Sequence, residues 1–511
     1  MKGSAFVLFF VLAFSLCLAQ GVYAAEWTFM VYLDADNDLE SYGVDDFLEM
    51  ASVGSDANVN IVVQFDRIPG YSTAYGNWTN TQRFLITTGM TPTTANAISN
   101  WGDGSGGREV NMADPQTLID FIKWGMDNYP ANNYAVILWN HGGGWRAPEL
   151  AQKVNKAICW DDTSGGDSLY TNELQGALQT IETDRVQVTL LGFDACLMNM
   201  VEVAYEVKDS AAVMVGSEET EPGDGWPYNT LLADLAAAPA MTANDLATVI
   251  VNRYGQSYGP SSDTTQSAID LSMMNSLSDA INNFAAAMDS NRSEIAAARA
   301  ASQEYTYPEN IDLYHFAGLV STGVADPDIQ NAALNVMTAV DSAVFAEFHG
   351  TPSANSHGLA IYFPEAETSF DPDYNGTVID FPAYSQWDEF LNWFYNFTEP
   401  VVAQTITPPS VTTIPSGGFL GAFTVTLTNN TASNYSFYSR DYTIMPDGTT
   451  TSRRPALMRL RGNETKTITR QINRPWVNPG TYTYGIQLTN AQGGVLDDDS
   501  FNFTVTSGAV R

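Results

Sequence analysis

Short apolar runs alternate with longer segments of helical periodicity over the first 395 residues of the chain. The runs predict buried strands and the periodic segments predict helices. Strands that alternate with helices predict a largely parallel sheet covered by helices on both faces. The predicted strands are 27–33, 59–65, 82–87, 134–139, 186–193, 211–216, 267–271 and 358–363. The predicted helices are 39–50, 115–128, 172–181, 198–207, 241–256, 273–303 and 327–346.

The pattern changes near residue 397. Residues 401–418 are rich in Pro, Thr and Ser, a composition that is typical of linkers. Short segments beyond them alternate apolar and polar positions, at 423–427, 482–486 and 501–505. Evenly spaced short strands over a region of this length predict an immunoglobulin-like β-sandwich.

Residues 1–24 have the features of a secretory signal peptide. Lys2 supplies the positive start, residues 5–19 are apolar, and the stretch ending at Ala24 has the character of a cleavage site. No later run is long and apolar enough to span a bilayer. The sequence predicts a secreted protein, extracellular or periplasmic. Its predicted parts are a signal peptide (1–24), an α/β domain (25–397), a linker (398–418) and a β-sandwich (419–511).

Acidic side chains dominate the charge, and they are unevenly placed. Residues 1–404 hold 13 Lys/Arg and 52 Asp/Glu, whereas residues 405–511 hold nine and six. Such a surface disfavours nucleic acid as a partner and attracts cationic ligands. Simple solubility of an exported protein is the alternative explanation of the charge.

Cys196 follows the end of a predicted buried strand. The apolar run 186–193 stops at Asp194, and a periodic segment comes at once, so the pattern predicts a strand that breaks directly into a helix. The helix end would stabilise a thiolate and lower the pKa of Cys196. Signal removal leaves two cysteines, so a disulfide between Cys159 and Cys196 is the alternative.

His141 follows another strand-like run, 134–139, and is itself followed by three glycines that let a ligand approach main-chain N–H groups. We therefore expect His141 and Cys196 to meet over one cleft as proton carrier and nucleophile. None of the four histidines forms a His-x-x-x-His pair, and two cysteines cannot make a structural zinc cluster. No metal ligand is assigned.

Four blocks of sequence resemble the clostripain family of cysteine peptidases, which has the caspase-like fold shared with gingipains and legumain. The blocks are Trp27–Leu39, Asn140-His141-Gly142, Asp194-Ala195-Cys196 and Gly358–Pro364. The histidine precedes the cysteine by 55 residues, compared with about 50 in caspases. The resemblance implies a three-layer α/β/α sandwich with a mostly parallel sheet. It also implies a cysteine endopeptidase that acts on protein or peptide substrates and needs no cofactor for its chemistry.

The resemblance also implies roles for individual residues. Cys196 would attack the peptide carbonyl and His141 would move the proton. The main-chain N–H groups of Gly142 and Cys196 would stabilise the oxyanion. Family members often mature by cutting themselves after a basic residue between the histidine and the cysteine, which makes Lys153 or Lys156 the candidate cleavage site here. Two ordinary surface lysines are the alternative.

Members of the family prefer Arg, and sometimes Lys, before the scissile bond. A pocket for such a side chain needs a buried carboxylate. The resemblance assigns this role to Asp194 and Asp224, and it places Ser217 and Glu218 on one pocket wall, with Glu218 as a competing carboxylate. A helix N-cap is the alternative for Asp194, and a Pro-Gly-Asp-Gly turn for Asp224. If neither aspartate faces the pocket, an Asn or acidic preference follows.

Three further questions stay open from the sequence. Some family members need calcium, and the acidic loop Asp34–Asp38 permits a cation by composition, although turn and capping roles are favoured for it. The β-sandwich could bind a surface or a carbohydrate, or only stabilise the enzyme. A non-catalytic surface-binding protein on the same fold, and an Asn-specific peptidase or ligase like legumain, are the alternative functions.

Overall fold

The computed structural model describes residues 24–101, 107–145, 158–375, 379–395, 402–431, 434–446, 448–472, 474–490 and 495–507. The predicted signal peptide, except Ala24, lies outside the described residues, as do Lys153 and Lys156. None of the helices in the described ranges is long and apolar enough to cross a membrane.

The described residues before 396 alternate strands and helices. The strands are β1 (Ala25–Ala35), β2 (Val59–Arg67), β3 (Gln82–Leu85), β4 (Ala131–Trp139), β5 (Ile158–Asp161), β6 (Asp167–Leu169), β7 (Val188–Asp194), β8 (Ala211–Gly216), β9 (Thr265–Asp270), β10 (Asn310–Asp312), β11 (Val344–His349) and β12 (Ala360–Tyr362). The helices are α1 (Glu40–Val53), α2 (Pro115–Asn128), α3 (Thr171–Asp184), α4 (Val201–Val207), α5 (Tyr228–Ala237), α6 (Ala243–Tyr258), α7 (Met274–Ala287), α8 (Arg292–Ala301), α9 (Leu313–Gly323), α10 (Pro327–Ala343), α11 (Asp380–Tyr384) and α12 (Trp387–Phe394).

The central sheet has the strand order β11-β9-β8-β7-β4-β1-β2-β3 within the described ranges. Strands β2, β1, β4, β7 and β8 pair in parallel, whereas β3, β9 and β11 pair antiparallel with their neighbours. Parallel strands buried on both faces read as continuous apolar runs, which is the pattern seen along β1, β4 and β7. The predicted mostly parallel sheet is confirmed.

Two separate cores cover the two faces of this sheet. Side chains of β1 alternate between them: Met30 and Tyr32 pack with α2, α3, α4, α7, α9 and α10, whereas Phe29 and Val31 pack with α1, α5 and α6. Alternation along a strand places successive side chains on opposite faces. The predicted three-layer α/β/α sandwich is therefore confirmed.

Several predicted elements differ in extent. The segment 273–303 forms two helices, α7 and α8, because the chain turns between them through Asn291, which has a left-handed φ of 55°. In the segment 327–346, helix α10 ends at Ala343 and strand β11 begins at Val344. The side chains of β11 are mostly half-buried, so the strand has no clear alternation of buried and exposed positions. The strand near 358–363 is β12, which pairs with β10 outside the central sheet.

The described residues after 401 form two β-sheets. Their strands are β13 (Val402–Thr407), β14 (Thr413–Pro415), β15 (Phe423–Asn429), β16 (Tyr435–Ile444), β17 (Thr450–Ser452), β18 (Ala456–Leu460), β19 (Thr465–Arg470), β20 (Gly480–Thr489) and β21 (Val495–Thr506). One sheet has the order β13-β15-β19, the other has the order β14-β21-β20-β16-β17, and β18 pairs with β16. Both sheets contribute to one apolar core, as in a β-sandwich.

The range 398–418, which we predict as a linker, contains two strands, β13 and β14. Val402, Gln404 and Ile406 alternate as the buried positions of β13, which pairs with β15. Strand β14 pairs in parallel with β21. The Pro/Thr/Ser-rich composition made the short alternating pattern of β13 easy to overlook. Strands β13 and β14 form by pairing with β15 and β21, which local composition does not indicate.

Candidate active site

Parallel pairing of β4 and β7 determines which residues meet at the carboxyl edge of the sheet. The register matches Leu138 with Phe193 and Trp139 with Asp194. Directly after the last pair, the Asn140 main-chain N–H donates to the Asp194 carbonyl oxygen at 3.3 Å. The segments 140–142 and 194–196 therefore lie side by side, at the edge where ligands bind in open α/β sheets.

Gly142 contacts the main chain of Cys196. A Cβ at Gly142 would lie 2.2 Å from the Cys196 carbonyl oxygen and 3.1 Å from the Cys196 nitrogen. A Cβ cannot approach a carbonyl oxygen so closely, so packing restricts this position to glycine. The main-chain N–H of Gly142 donates to no acceptor within the described part of the chain.

The ring of His141 is held by Asp38. Nε2 of His141 lies 2.8 Å from Oδ1 of Asp38, at a site where both side chains are accessible to solvent. Nδ1 has no hydrogen-bond partner among the described residues. Sequence reasoning did not select Asp38 as a partner of His141, although it belongs to the block Trp27–Leu39.

The surroundings of Cys196 exclude the disulfide alternative and differ from the prediction in two ways. Cys159 and Cys196 are both free thiols, so the disulfide alternative is wrong. Helix α4 begins only at Val201, and Leu197 has a left-handed φ of 64°, so the sulfur does not sit at a helix N-terminus. Burial raises the pKa of Cys196 above its usual range, which corrects the predicted lowering.

A hydrogen-bonded loop holds the Cys196 sulfur in place of a helix end. The Glu221 main-chain N–H donates to Sγ at 3.3 Å, and the Glu221 carbonyl oxygen lies 3.8 Å from Sγ. The next residues pair with the same loop, since the Leu197 N–H donates to the Glu219 carbonyl oxygen at 3.1 Å. The loop that follows β8 therefore runs beside the candidate nucleophile.

Asp194 lies buried beneath the cysteine segment. Its carboxylate accepts hydrogen bonds from the Tyr228 hydroxyl at 2.8 Å and from the Trp226 N–H at 3.2 Å. The N-cap alternative is wrong, because α4 begins seven residues later and makes no cap with this side chain. Burial raises the pKa of Asp194 to about 6, although the hydrogen bond from Tyr228 opposes the shift.

Two further buried carboxyl groups accompany Asp194. The Glu221 carboxyl is hydrogen-bonded to it, and Asp46, on α1, accepts a hydrogen bond from the Trp139 indole at 2.7 Å. A Cβ at Gly225 would lie 3.0 Å from Asp194 Oδ1 and 3.2 Å from Asp46 Oδ2, so both carboxylates face this glycine. We name Asp46, Asp194 and Glu221 the carboxylate pocket.

The other three residues predicted for the substrate pocket, Ser217, Glu218 and Asp224, make different contacts. The Ser217 hydroxyl donates to the Glu219 carbonyl oxygen, and Glu218 is buried, accepts from the Gly358 N–H at 3.0 Å and adjoins Asp312. Neither side chain belongs to the carboxylate pocket, and their assignment to a wall of the substrate pocket stays a prediction. Asp224 is exposed in the turn closed by the Gly225 N–H and the Pro222 carbonyl oxygen, as its alternative predicts.

Sequence reasoning missed Asp46 and Glu221. Asp46 stands in α1 beside apolar positions that face the core, and an acidic residue on that helix face was a usable signal. Glu221 lies in the stretch after β8 that the resemblance assigns to the pocket, three residues after Glu218. Nothing in the local pattern separates it from its neighbours Glu218 and Glu219.

The architecture defines a class of protein. The protein is a three-layer α/β/α sandwich. One strand is followed by a histidine, and the neighbouring parallel strand is followed by a free cysteine. This architecture is typical of caspase-like cysteine peptidases. The chain belongs to the clostripain family, whose family model matches residues 31–394. It is a cysteine endopeptidase that acts on protein or peptide substrates, and the chemistry of this family needs no cofactor.

Named relatives agree with this assignment. Clostripain from Hathewaya histolytica is 27% identical over 425 residues, which cover 70% of this chain and 78% of that protein. A secreted C11 cysteine protease from Bacteroides thetaiotaomicron, solved with an irreversible peptide inhibitor, has a TM-score of 0.54 and 19% identity; the match covers 71% of this chain and all of that one. An inactive zymogen C11 protease from Parabacteroides distasonis has a TM-score of 0.51 and 19% identity, over 73% and 97% of the two chains.

Replacing Gly142 with alanine should lower kcat/KM by about 100-fold or more, because a misplacement of about 1 Å at a reacting group costs that much. The added methyl group would overlap the Cys196 carbonyl oxygen, so one strand end must move. Steady-state kinetics with a peptide substrate, together with circular dichroism to establish folding, measure the effect.

Gly176→Ala is the matched control. Gly176 lies on α3, where a Cβ would meet open space, and alanine is the better helix former. We expect unchanged activity and equal or slightly higher stability for Gly176→Ala. Full activity of folded Gly142→Ala protein would contradict the close contact with Cys196.

Proposed function

We propose that this cysteine endopeptidase is exported and cleaves peptide bonds after Arg, and also after Lys, with Cys196 as nucleophile and His141 as proton carrier. The observation that carries the specificity is the carboxylate pocket. The carboxyl groups of Asp46, Asp194 and Glu221 are buried, and the main chain of Glu221 contacts the Cys196 sulfur. None of the three carboxyl groups forms an ion pair within the described part of the chain.

The electrostatics of the pocket favour a cationic ligand. Burial raises the pKa of all three carboxyl groups, and the charge of Asp194 raises those of Asp46 and Glu221 further. A guanidinium or ammonium about 4 Å from one carboxylate gains about 4 kcal/mol at an effective dielectric constant of 20. An Asn side chain would leave the negative charges unpaired, and an acidic side chain would be repelled. The pocket therefore argues against the Asn-specific alternative.

The proposed reaction gives Cys196 and His141 the roles that the family resemblance implies, and the pairing of β4 with β7, which brings their chain segments side by side, supports it. Burial raises the pKa of the Cys196 thiol, so the proposed attack on the carbonyl is assisted by a base. His141 would take the thiol proton through Nδ1, while Asp38 orients the ring at Nε2, and would return it to the leaving amine. The N–H groups of Gly142 and Cys196 are the proposed donors to the oxyanion.

Export and self-cleavage are also part of the proposal. The signal-like character of residues 1–24 supports export, and the Bacteroides thetaiotaomicron relative is described as secreted. Lys153 or Lys156, on the chain between Trp145 and β5, would be the cleavage site, and the existence of an inactive zymogen among the relatives supports activation of this kind. A surface- or carbohydrate-binding role for the β-sandwich stays a prediction.

A panel of fluorogenic peptides ending in Arg, Lys, Asn or Asp tests the specificity. We expect kcat/KM for Arg to exceed that for Asn and Asp by at least about 100-fold, and Cys196→Ala to abolish turnover. Asp194→Asn should lower kcat/KM for the Arg peptide by about 100-fold to 1,000-fold, mainly through KM, because it leaves the substrate cation without its buried partner.

Glu218→Gln controls for the loss of a buried carboxylate as such. Its hydrogen bond from Gly358 lies outside the carboxylate pocket, so the ratio of Arg to Asn cleavage should stay the same. Two results would contradict the assignment of the pocket. One is a preference of the unmodified enzyme for Asn or Asp; the other is a loss of Arg selectivity in Glu218→Gln while Asp194→Asn keeps its Arg selectivity.

Binding of a guanidinium ligand should depend on pH. Asp194, with its pKa raised to about 6, is ionised above that pH and must lose a proton to bind a cation below it. The affinity of N-acetyl-arginine amide for Cys196→Ala protein should therefore fall about tenfold between pH 7 and pH 5. Calorimetry measures the affinity and the released protons; N-acetyl-citrulline amide, which is uncharged, is the control. Affinity for the arginine ligand that does not change with pH would refute the role of Asp194.

Intact-mass measurement and N-terminal sequencing of active enzyme test self-cleavage. We expect two chains joined without a covalent bond, with a new N-terminus after Lys153 or Lys156, and a single chain in Cys196→Ala protein. The double variant Lys153→Gln/Lys156→Gln should stay uncut. One unbroken chain in a fully active preparation would reject processing.

A further inference from the structure

The chain directly after Cys196 has a strained backbone. Leu197 has a left-handed φ of 64°, although it carries a Cβ, and its side chain is buried. A left-handed conformation is disfavoured for such a residue, so it persists only where the surrounding structure imposes it. The residues that hold the segment 197–200 are therefore candidates for positioning the sulfur.

The side chain of Asn199 connects this segment to two other parts of the chain. It is fully buried, and its Nδ2 donates to the Gly358 carbonyl oxygen at 3.1 Å and to the Ser267 carbonyl oxygen at 3.3 Å. The Ser267 hydroxyl also contacts Nδ2, and it donates to the Gly358 carbonyl oxygen at 2.6 Å. One amide thus joins the cysteine segment to β9 and to the chain before β12.

The main chain of Asn199 makes two further hydrogen bonds. Its N–H donates to the Ser217 carbonyl oxygen at 2.9 Å, and its carbonyl oxygen accepts the Ala360 N–H at 3.0 Å. Ser217 directly follows β8, and Ala360 begins β12. Residue 199 is therefore fixed from several sides, whereas Leu197 is held through its N–H, which donates to the Glu219 carbonyl oxygen at 3.1 Å.

The loop after β8, against which the cysteine segment pairs, has an anchor of its own. The Thr265 hydroxyl oxygen, at the start of β9, accepts the main-chain N–H groups of Glu218 at 2.9 Å and of Glu219 at 3.1 Å. The Glu221 N–H, which donates to the Cys196 sulfur at 3.3 Å, belongs to the same loop. The distance between the sulfur and this N–H therefore depends on how the cysteine segment is fixed against the loop.

We propose that Asn199 is a positioning residue for the nucleophile. Its buried amide maintains the left-handed backbone at Leu197 and thereby keeps the Cys196 sulfur at the Glu221 N–H. A donor at the sulfur favours the thiolate, so this hydrogen bond opposes the effect of burial on the pKa of Cys196. The role of Asn199 depends on the proposed role of Cys196 as nucleophile.

The contacts of Asn199 separate positioning from substrate binding. Its hydrogen bonds go to Ser217, Ser267, Gly358 and Ala360, so replacing the amide leaves the hydrogen bonds within the carboxylate pocket in place. Loss of the amide should therefore lower kcat more than it raises KM. An asparagine with a purely structural role would lower the melting temperature without this division.

Asn199→Leu tests the role, because leucine has a similar size and no amide. We expect kcat for a fluorogenic Arg peptide to fall by about 100-fold or more, since a misplacement of about 1 Å costs that much, with KM changed by less than about threefold. Alkylation of Cys196 by iodoacetamide, located by peptide mass spectrometry and followed against pH, should show an apparent pKa higher by about 1, because the hydrogen bond from Glu221 is lost. Circular dichroism establishes folding.

Asn429→Leu is the matched control. Asn429 is a buried asparagine of the β-sandwich, and its Nδ2 donates to the Arg461 carbonyl oxygen at 3.0 Å. Its replacement should lower stability and leave both kcat and the alkylation profile of Cys196 unchanged. Ser267→Ala should change kcat by less than about threefold, because the two main-chain acceptors of the Asn199 amide remain.

Unchanged kcat and an unchanged alkylation profile in folded Asn199→Leu protein would overturn the positioning role, even with a lower melting temperature. An equal loss of kcat in Asn429→Leu would do the same. If Asn199→Leu does not fold, Asn199→Asp, which keeps the shape without the amide N–H groups, replaces it, with an expected loss of kcat of about tenfold or more. Turnover by Cys196→Ala would reject the proposed nucleophile and this role with it, whereas inactive Cys196→Ala beside fully active Asn199→Leu would reject only the positioning role.

Discussion

The parallel pairing of β4 with β7 is the constraint on which the site depends. Trp139 stands opposite Asp194, so the two chains leave the sheet together and place 140–142 against 194–196. The contact between Gly142 and the Cys196 main chain leaves no room for a side chain. Gly192, within β7, also leaves no room for a side chain, because a Cβ there would overlap Ile137 and Trp226. Trp226 can therefore pack against β7, and its N–H then reaches Asp194.

Buried carboxylates in this chain differ in whether a basic side chain of the fold pairs with them. Glu40 is buried against Arg67, and Glu304 pairs with the buried Arg299, so each of these acids has a cation within the fold. The three carboxyl groups of the carboxylate pocket have no such partner among the described residues. Only 13 basic residues occur in the first 404 positions against 52 acidic ones, so the fold cannot neutralise every buried acid from its own side chains. The proposed specificity supplies a cation to the carboxylate pocket from outside, as the side chain of the substrate.

The parts of the site that sequence could predict are those that local pattern defines. An apolar run that stops at Asn140-His141, and another that stops at Asp194-Ala195-Cys196, mark strand ends, and parallel strands place such ends at one edge. Asp46 and Glu221 have no such local pattern. Asp46 lies on α1 and Glu221 lies in the loop after β8, and only the packing of these segments brings both carboxyl groups to Asp194. Their spacing along the chain does not predict this contact.

The error at Cys196 has a specific physical cause with a functional consequence. The pattern predicts a helix from Met198, but Leu197 adopts a left-handed conformation, and the main-chain N–H groups of Leu197 and Asn199 donate to the loop after β8. The sulfur is consequently held by the Glu221 N–H, not by a helix dipole. Glu221 thus contacts both candidate groups: its main-chain N–H donates to the Cys196 sulfur, and its carboxyl group is hydrogen-bonded to Asp194 in the carboxylate pocket. A basic side chain that pairs with Asp194 and Glu221 would act on the same residue that positions Cys196, so recognition and nucleophile geometry are mechanically connected through one loop.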